Sequence, residues 1–154
     1  MGQQQLLLVI LVTIIVGIAT VVAINTFGSA ADSANIDAVN NDIATLASAA
    51  QSHYMRPEIL GGGGRTFTDL TFIGLSFPSV GISSTGLAAE NENGRYVIET
   101  ALESFTITAY PASNSGYTPG EVDEDGVLTP GDNGTGTVFE AIVEASNLSV
   151  ITSN

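Results

Sequence analysis

The chain has no cysteine, no lysine and no tryptophan, and its whole stock of cationic side chains is Arg56, Arg65 and Arg95. Without cysteine there is no disulfide, no thiolate metal site and no cysteine nucleophile. Sixteen acidic residues stand against the three arginines, giving a formal charge of −13. No basic patch is available to neutralise phosphates, which argues against nucleic-acid binding. The single histidine, His53, means that any histidine-centred triad would have to run through one residue. Charged residues make up only 12% of the chain, against roughly 25% in ordinary soluble domains. Ser, Thr, Asn, Gly and Ala must therefore cover much of the surface, a composition that suits polar loops or a surface hidden in an assembly.

What is present begins with a long apolar run. Residues 6–24 (LLLVILVTIIVGIATVVAI) are interrupted only by Thr13, Gly17 and Thr20. As a helix they span about 28 Å, close to the ~30 Å hydrocarbon core of a bilayer. A membrane anchor, a cleaved secretion signal and an assembly helix all share that property. A signal core is usually about 7–15 residues behind a basic segment; this run is longer and follows Gln3, Gln4 and Gln5.

The helical pattern continues past the apolar run. Residues 30–54 contain neither proline nor glycine, and Ile36, Val39, Ile43, Leu46 and Ala50 recur at 3-4 spacing, one stripe of a helix. Asp32, Asp37, Asn40, Asn41, Asp42 and Ser48 are assigned to the opposite face. The pattern predicts one helix from near the N-terminus to about Met55, roughly 80 Å long, halted by Arg56-Pro57. GGGGR at 61–65 reads as a hinge. Residues 71–77 form a short apolar stretch stopped by Pro78.

Thereafter the period changes to that of strands, at 95–101, 104–110, 137–145 and 148–152, joined in pairs by two-residue connections. Such pairs predict hairpins and an antiparallel sheet. Phe105, Ile107 and Ala109 alternate with Thr106, Thr108 and Tyr110, as in a sheet with one covered face, and the stripe from Ile36 to Ala50 is the predicted cover. The expected fold class is α+β: a long N-terminal helix, apolar over 1–29 and amphipathic over 30–57, packed on a small antiparallel head, 58–154, with a long acidic loop at 111–136.

A membrane-length helix that continues as an amphipathic helix and packs on a small antiparallel sheet resembles a type IV pilin or pseudopilin. The resemblance is one of architecture over the whole chain and of sequence in about the first fifty residues, where ILVTIIVGIATVVAI with its internal Gly17 looks like the family's apolar helix. The resemblance implies a structural subunit, first held in the cytoplasmic membrane and then extracted into a cell-surface or extracellular homopolymer. In its core, Leu6, Leu7, Leu8, Val9, Ile10, Leu11, Ile14, Ile15, Gly17, Ile18, Val21, Val22 and Ile24 would pack against the same helices of neighbouring copies. It further implies a mature start at Met1 or, after processing at Gly2, at Gln3, with Met1, Gln3, Gln4 and Gln5 setting register. The family's acidic fifth residue would fall on Gln5 in the first alignment, and neither alignment finds the usual basic leader. The runner-up readings are a pseudopilin of a secretion apparatus and a monomeric, membrane-anchored extracytoplasmic binding domain.

Within the acidic loop, EVDEDGVLTPGD (121–132) resembles an EF-hand or dockerin calcium loop. That resemblance would make Glu121, Asp123 and Asp125 ligands, turn at Gly126, take the backbone carbonyl of Val127, pack Leu128 inward and close on Asp132, because Ca²⁺ gathers six to eight oxygens from alternate residues of a tight loop. A solvated acidic turn fits the same residues, DEDG being a good turn by itself. Calcium is therefore one of two open readings. No phosphate loop is present, since GGGGR lacks the lysine and hydroxyl residue that hold nucleotide. No catalytic constellation stands out, so an enzyme is not expected. Asn133-Gly-Thr and Asn147-Leu-Ser have the form of glycosylation sequons.

Overall fold

A computed structural model describes residues 2–145 and 147–153. The chain divides into two compact units, Met1–Ala34 and Asn35–Asn154. One helix, α1 (Gly2–Met55), runs through both. It meets no proline before Pro57, and Ala and Leu, the strongest helix formers, recur along it.

In the first unit every described residue is exposed. The helical hydroxyls turn back on their own backbone: Thr13 Oγ1 donates to the Ile10 carbonyl, Thr20 Oγ1 to Val16, Thr26 Oγ1 to Val22 and Ser33 Oγ to Ser29, at 2.8–2.9 Å. These four hydroxyls thus present little unsatisfied polarity outward.

In the second unit, ten strands follow in chain order: β1 (Gly81–Ile82), β2 (Ala88–Asn91), β3 (Gly94–Thr100), β4 (Ser104–Pro111), β5 (Ser115–Tyr117), β6 (Glu121–Val122), β7 (Leu128–Thr129), β8 (Asn133–Thr135), β9 (Val138–Glu144) and β10 (Leu148–Ser153). Six of them form one antiparallel sheet in the order β1-β2-β3-β4-β9-β10. The fold is α+β. Alternation fixes which face is covered: along β4 every second residue, Phe105, Ile107 and Ala109, is buried. Register stacks these into rows across the sheet. Ala89, Tyr96, Ala109 and Phe139 make one row, Ile98, Ile107 and Ala141 the next, and Phe105 with Val143 the third.

Against these rows lie Val39, Ile43, Leu46 and Ala50 of α1, all buried, with Ile36 half-buried beside them. Ala47, which falls outside the stripe read from the sequence, is buried there as well. Phe67, Leu70, Phe72, Leu75 and Phe77 close the core from the connection between helix and sheet. Part of that connection is a one-turn helix, α2 (Phe72–Leu75), formed where the sequence shows the apolar stretch 71–77. Strands β1 and β2 were not legible beforehand; AAEN and GI are too short and too small to carry a period.

Two expectations need correction. GGGGR is no hinge: it folds back and caps the C-terminus of α1. Gly63 N donates to the His53 carbonyl (2.9 Å), Arg65 N to Tyr54 (3.0 Å) and Gly64 N to Arg56 (3.0 Å), so carbonyls left open by the helix end are satisfied. A Cβ on Gly62 would overlap the Arg56 backbone and one on Gly63 the Thr66 carbonyl, so glycine is required for close approach rather than for freedom. The long acidic loop 111–136 is also structured. It is a nested pair of two-stranded ribbons, β5 with β8 outside and β6 with β7 inside.

Candidate functional surfaces

The apolar surface of the first unit is the largest feature that the chain leaves uncovered. Leu6, Leu7, Leu8, Val9, Ile10, Leu11, Ile14, Ile15, Ile18, Val21, Val22 and Ile24 are all between 48% and 69% exposed. α1 is the one helix, among the described residues, long and apolar enough to cross a membrane. A Cβ on Gly17 would meet nothing, so this glycine leaves a notch in the apolar surface rather than a packed contact. Gln3, Gln4 and Gln5 are exposed on the first turns; Met1, assigned with them to register, lies outside the described residues.

Two polar clusters hold the second unit together. The first centres on Asp42, which the helical pattern puts on the outer face. Asp42 Oδ2 instead accepts hydrogen bonds from Tyr96 Oη (2.7 Å), Asn93 Nδ2 (2.8 Å) and Asn91 Nδ2 (2.9 Å). Three residues after Val39 and four before Leu46, it borders the buried stripe, and that spacing is the signal that could have placed it there. Asn35 extends the seam, its Nδ2 donating to the Asn93 carbonyl and its Oδ1 accepting from Ser113 N. Burial, followed by the bond to Asp42, pushes the Tyr96 hydroxyl well above its ordinary pKa.

The second cluster lies on the other face of the sheet. Arg95 and Glu90 are directly opposite one another in the β2–β3 register, and both are buried. Arg95 spends all five of its N–H donors. Nε and Nη2 bond Glu90 Oε2 (3.2 and 3.0 Å), the other Nη2 hydrogen goes to the Thr118 carbonyl, and Nη1 serves the Gly131 carbonyl and Asn133 Oδ1. Glu90 in turn accepts from Gly120 N with both oxygens. Tyr117 lays its ring 5.5 Å from the guanidinium carbon. The ion pair therefore pins the 115–135 ribbons onto the sheet. Burial raises the Tyr117 hydroxyl pKa, the Glu90 carboxylate adds to the rise, and Arg95 opposes it. Nothing in the sequence singles out Arg95, because a strand position reveals its partner only once the register is known.

The residues of the calcium-loop resemblance are not brought round one point. Glu121 pairs with Thr129 in the β6–β7 ribbon. Asp123 Oδ1 accepts from Asp125 N (3.0 Å) and Val127 N (2.7 Å), and the Val127 carbonyl accepts from Asp123 N. Asp132 stands at the far end, its Oδ1 accepting from Gly134 N. Among the described residues no three His, Asp or Glu side chains gather where a metal ion would be held. Asp123 closes an acidic turn by accepting from the backbone of its own loop. Of the two sequons, Asn133 has its amide oxygen engaged by Arg95, whereas Asn147 is exposed. His53 has a buried Nδ1 with no hydrogen-bond partner among the described residues and sits against Gly63; the cavity it forms with Ala49, Ser52, Arg56, Gly74, Leu75 and Ser76 is lined by two serines and by no carboxylate.

No family model matches the chain, and no curated protein or solved structure shows significant similarity to it.

Proposed function

We propose that this chain is the structural subunit of an extracellular filament of the type IV pilus kind, polymerising through residues 6–24. The observation that carries the reading is the contrast within α1. Twelve of its large apolar side chains in the first unit are exposed to nothing in the chain, while the same helix is anchored to a sheet further on by Val39, Ile43, Leu46 and Ala50. A surface so apolar is stable only in lipid or against other copies, and exchanging one for the other involves little change in hydrophobic free energy. The subunit would thus wait in the membrane and then be drawn into a bundle where packing sets the register. Gln3–Gln5 would supply neutral hydrogen bonds at the start of that bundle, and the back-bonded hydroxyls suit either environment. The acidic outer surface would keep separate filaments apart in solution. No catalytic step is assigned.

The test is to shear cells that express the chain and to examine the released material by electron microscopy and mass spectrometry. Filaments composed of this chain support the reading. Confinement of the chain to the membrane fraction would overturn it in favour of a monomeric anchor. The mass of the N-terminal peptide decides between Met1 and Gln3 as the first residue.

A further inference from the structure

Only three cationic side chains exist in this sequence, and one of them, Arg95, is buried in its ion pair with Glu90. The other two, Arg56 and Arg65, are exposed and form no ion pair among the described residues. The cap after α1 brings the backbone of residues 64 and 65 back against residues 54–56, so both arginines belong to the same cap. Beside them are three of the most exposed apolar side chains of the second unit, Met55 (70%), Ile59 (92%) and Leu60 (68%). Glu58 is the only acid in 55–65, so this stretch carries a formal charge of +1 in a chain of charge −13, with Glu103 and Glu144 of the sheet lining a cavity beside Tyr54. At the other extreme, the β6–β7 turn exposes Glu121, Asp123, Glu124 and Asp125 within five residues. The carboxylates of Glu121, Glu124 and Asp125 have no hydrogen bond or ion pair among the described residues.

Two copies that each carry −13 repel one another unless the contact pairs their scarce cations with acids. We infer that the helix cap of one copy, with Arg56 and Arg65 flanking Met55, Ile59 and Leu60, docks onto the acidic β6–β7 turn of a second copy. Among the described residues, the cap is the one exposed place where arginine and large apolar side chains coincide, and the turn holds three carboxylates without a partner within five residues. Charge fixes which patches meet, and burial of Ile59 and Leu60 supplies the apolar centre of the contact. The inference rests on the self-assembly proposed above and names the surface that the second unit contributes to it.

The absence of cysteine gives a clean test. The doubly substituted full-length chain, Leu60→Cys with Glu124→Cys, is expressed in cells and oxidised, and disulfide-linked multimers are read in both the sheared and the membrane fractions. A ladder is expected. Adding Arg56→Glu and Arg65→Glu should reduce it by about tenfold, and adding Glu121→Lys and Asp125→Lys to that reversed chain should restore it. Unchanged circular dichroism and melting of the reversed chain show that these exposed positions have not unfolded it. A ladder that survives the reversal, or filaments without any ladder, overturns the contact and leaves the filament reading standing. A charge-dependent ladder in membranes without filaments supports the contact and overturns the filament reading. Neither filament nor ladder overturns both. If the reversal abolishes binding to anionic phospholipid vesicles and leaves the ladder intact, the cap faces a lipid surface and the docking is wrong.

Discussion

The two stretches of α1 share a backbone conformation and differ in what their apolar side chains touch. Over residues 6–24 the large apolar side chains are roughly half to two-thirds exposed; at Val39, Ile43, Leu46 and Ala50 at most 1% of the side-chain surface remains open. The first stretch has apolar residues all round, so no single sheet could cover it, and it needs an environment that surrounds it. The second has a stripe, which one sheet face covers. The difference teaches where each stretch finds its stability: outside the chain for the first, inside it for the second. Substitutions that separate the two should therefore act on different observables, melting for the second and partitioning or assembly for the first.

The largest effect is expected at Arg95. Replacing it by Met leaves Glu90 buried without its cation and frees the Thr118 and Gly131 carbonyls together with Asn133. Breaking a buried ion pair from one side costs about 3–5 kcal/mol. Chemical denaturation should show that loss, and the ribbons at 115–135 should become the first site of proteolytic cleavage. Membrane partitioning should be unchanged, because no residue of the first unit belongs to the cluster. Replacing Glu90 and Arg95 together by apolar residues should cost less than Arg95→Met alone.

A matched pair breaks the comparison more directly. Ile43→Ala removes a side chain that is 1% exposed in the core, and such truncations cost about 2–5 kcal/mol. Ile15→Ala removes one that is 57% exposed and should leave the unfolding free energy of the second unit within about 0.5 kcal/mol of the parent. If Ile15→Ala melts the second unit as Ile43→Ala does, the two stretches are not separate in the sense argued.

How much of this could be read beforehand follows from the same difference. The helix, its end near Met55, the stripe from Val39 to Ala50 and the two long hairpins were legible, because each is written in a local period of 3.6 or 2. Ala47 was missed because the 3-4 series takes one residue per turn and passes from Ile43 through Leu46 to Ala50, while the sheet covers Leu46 and its neighbour together. The role of Asp42 was missed because a carboxylate is assigned to solvent unless its partners are known, and Asn91, Asn93 and Tyr96 lie some fifty residues away. The Arg95–Glu90 cluster was illegible for the same reason. Four consecutive glycines invite the reading of a hinge, yet at Gly62 and Gly63 the requirement is room for a neighbouring backbone. The apolar surface of the first unit was fully legible, since it depends on composition alone. What covers it is not a property of one chain.

The glycine cap supplies the next prediction. Gly62→Ala would drive a methyl group into the Arg56 backbone and loosen the cap on α1. Overpacking of this kind costs about 1–3 kcal/mol. The melting temperature should fall while partitioning between membrane and soluble fractions stays as it was. A GGGG segment that acted as a free hinge would tolerate the alanine, or gain slightly from it through the reduced entropy of the unfolded chain.

The smallest loss expected within the second unit is at Tyr96, where it is best read through pH. Tyr96→Phe removes one of three donors to Asp42 and leaves the ring in place, so the expected cost at neutral pH is about 1–2 kcal/mol, near the lower end for a hydrogen bond to a charged group. The sign of its pH dependence follows from the shift. Tyr96 and Tyr117 both have hydroxyls whose folded pKa lies above the ordinary 10.0. Below pH 10 both are protonated whether the chain is folded or not, and their stabilising contribution is fully present. Above pH 10 the unfolded chain loses those protons while the folded chain keeps them, so stability falls as pH rises toward the folded values, by up to about 1.4 kcal/mol per pH unit for each tyrosine. Denaturation curves between pH 9 and pH 11.5 should show that decline in the parent, and a shallower one in Tyr96→Phe and again in Tyr117→Phe. Equal slopes in all three chains would mean that neither hydroxyl is held protonated by the fold. The first unit contains no tyrosine, so its partitioning should pass through the same pH range without a matching step.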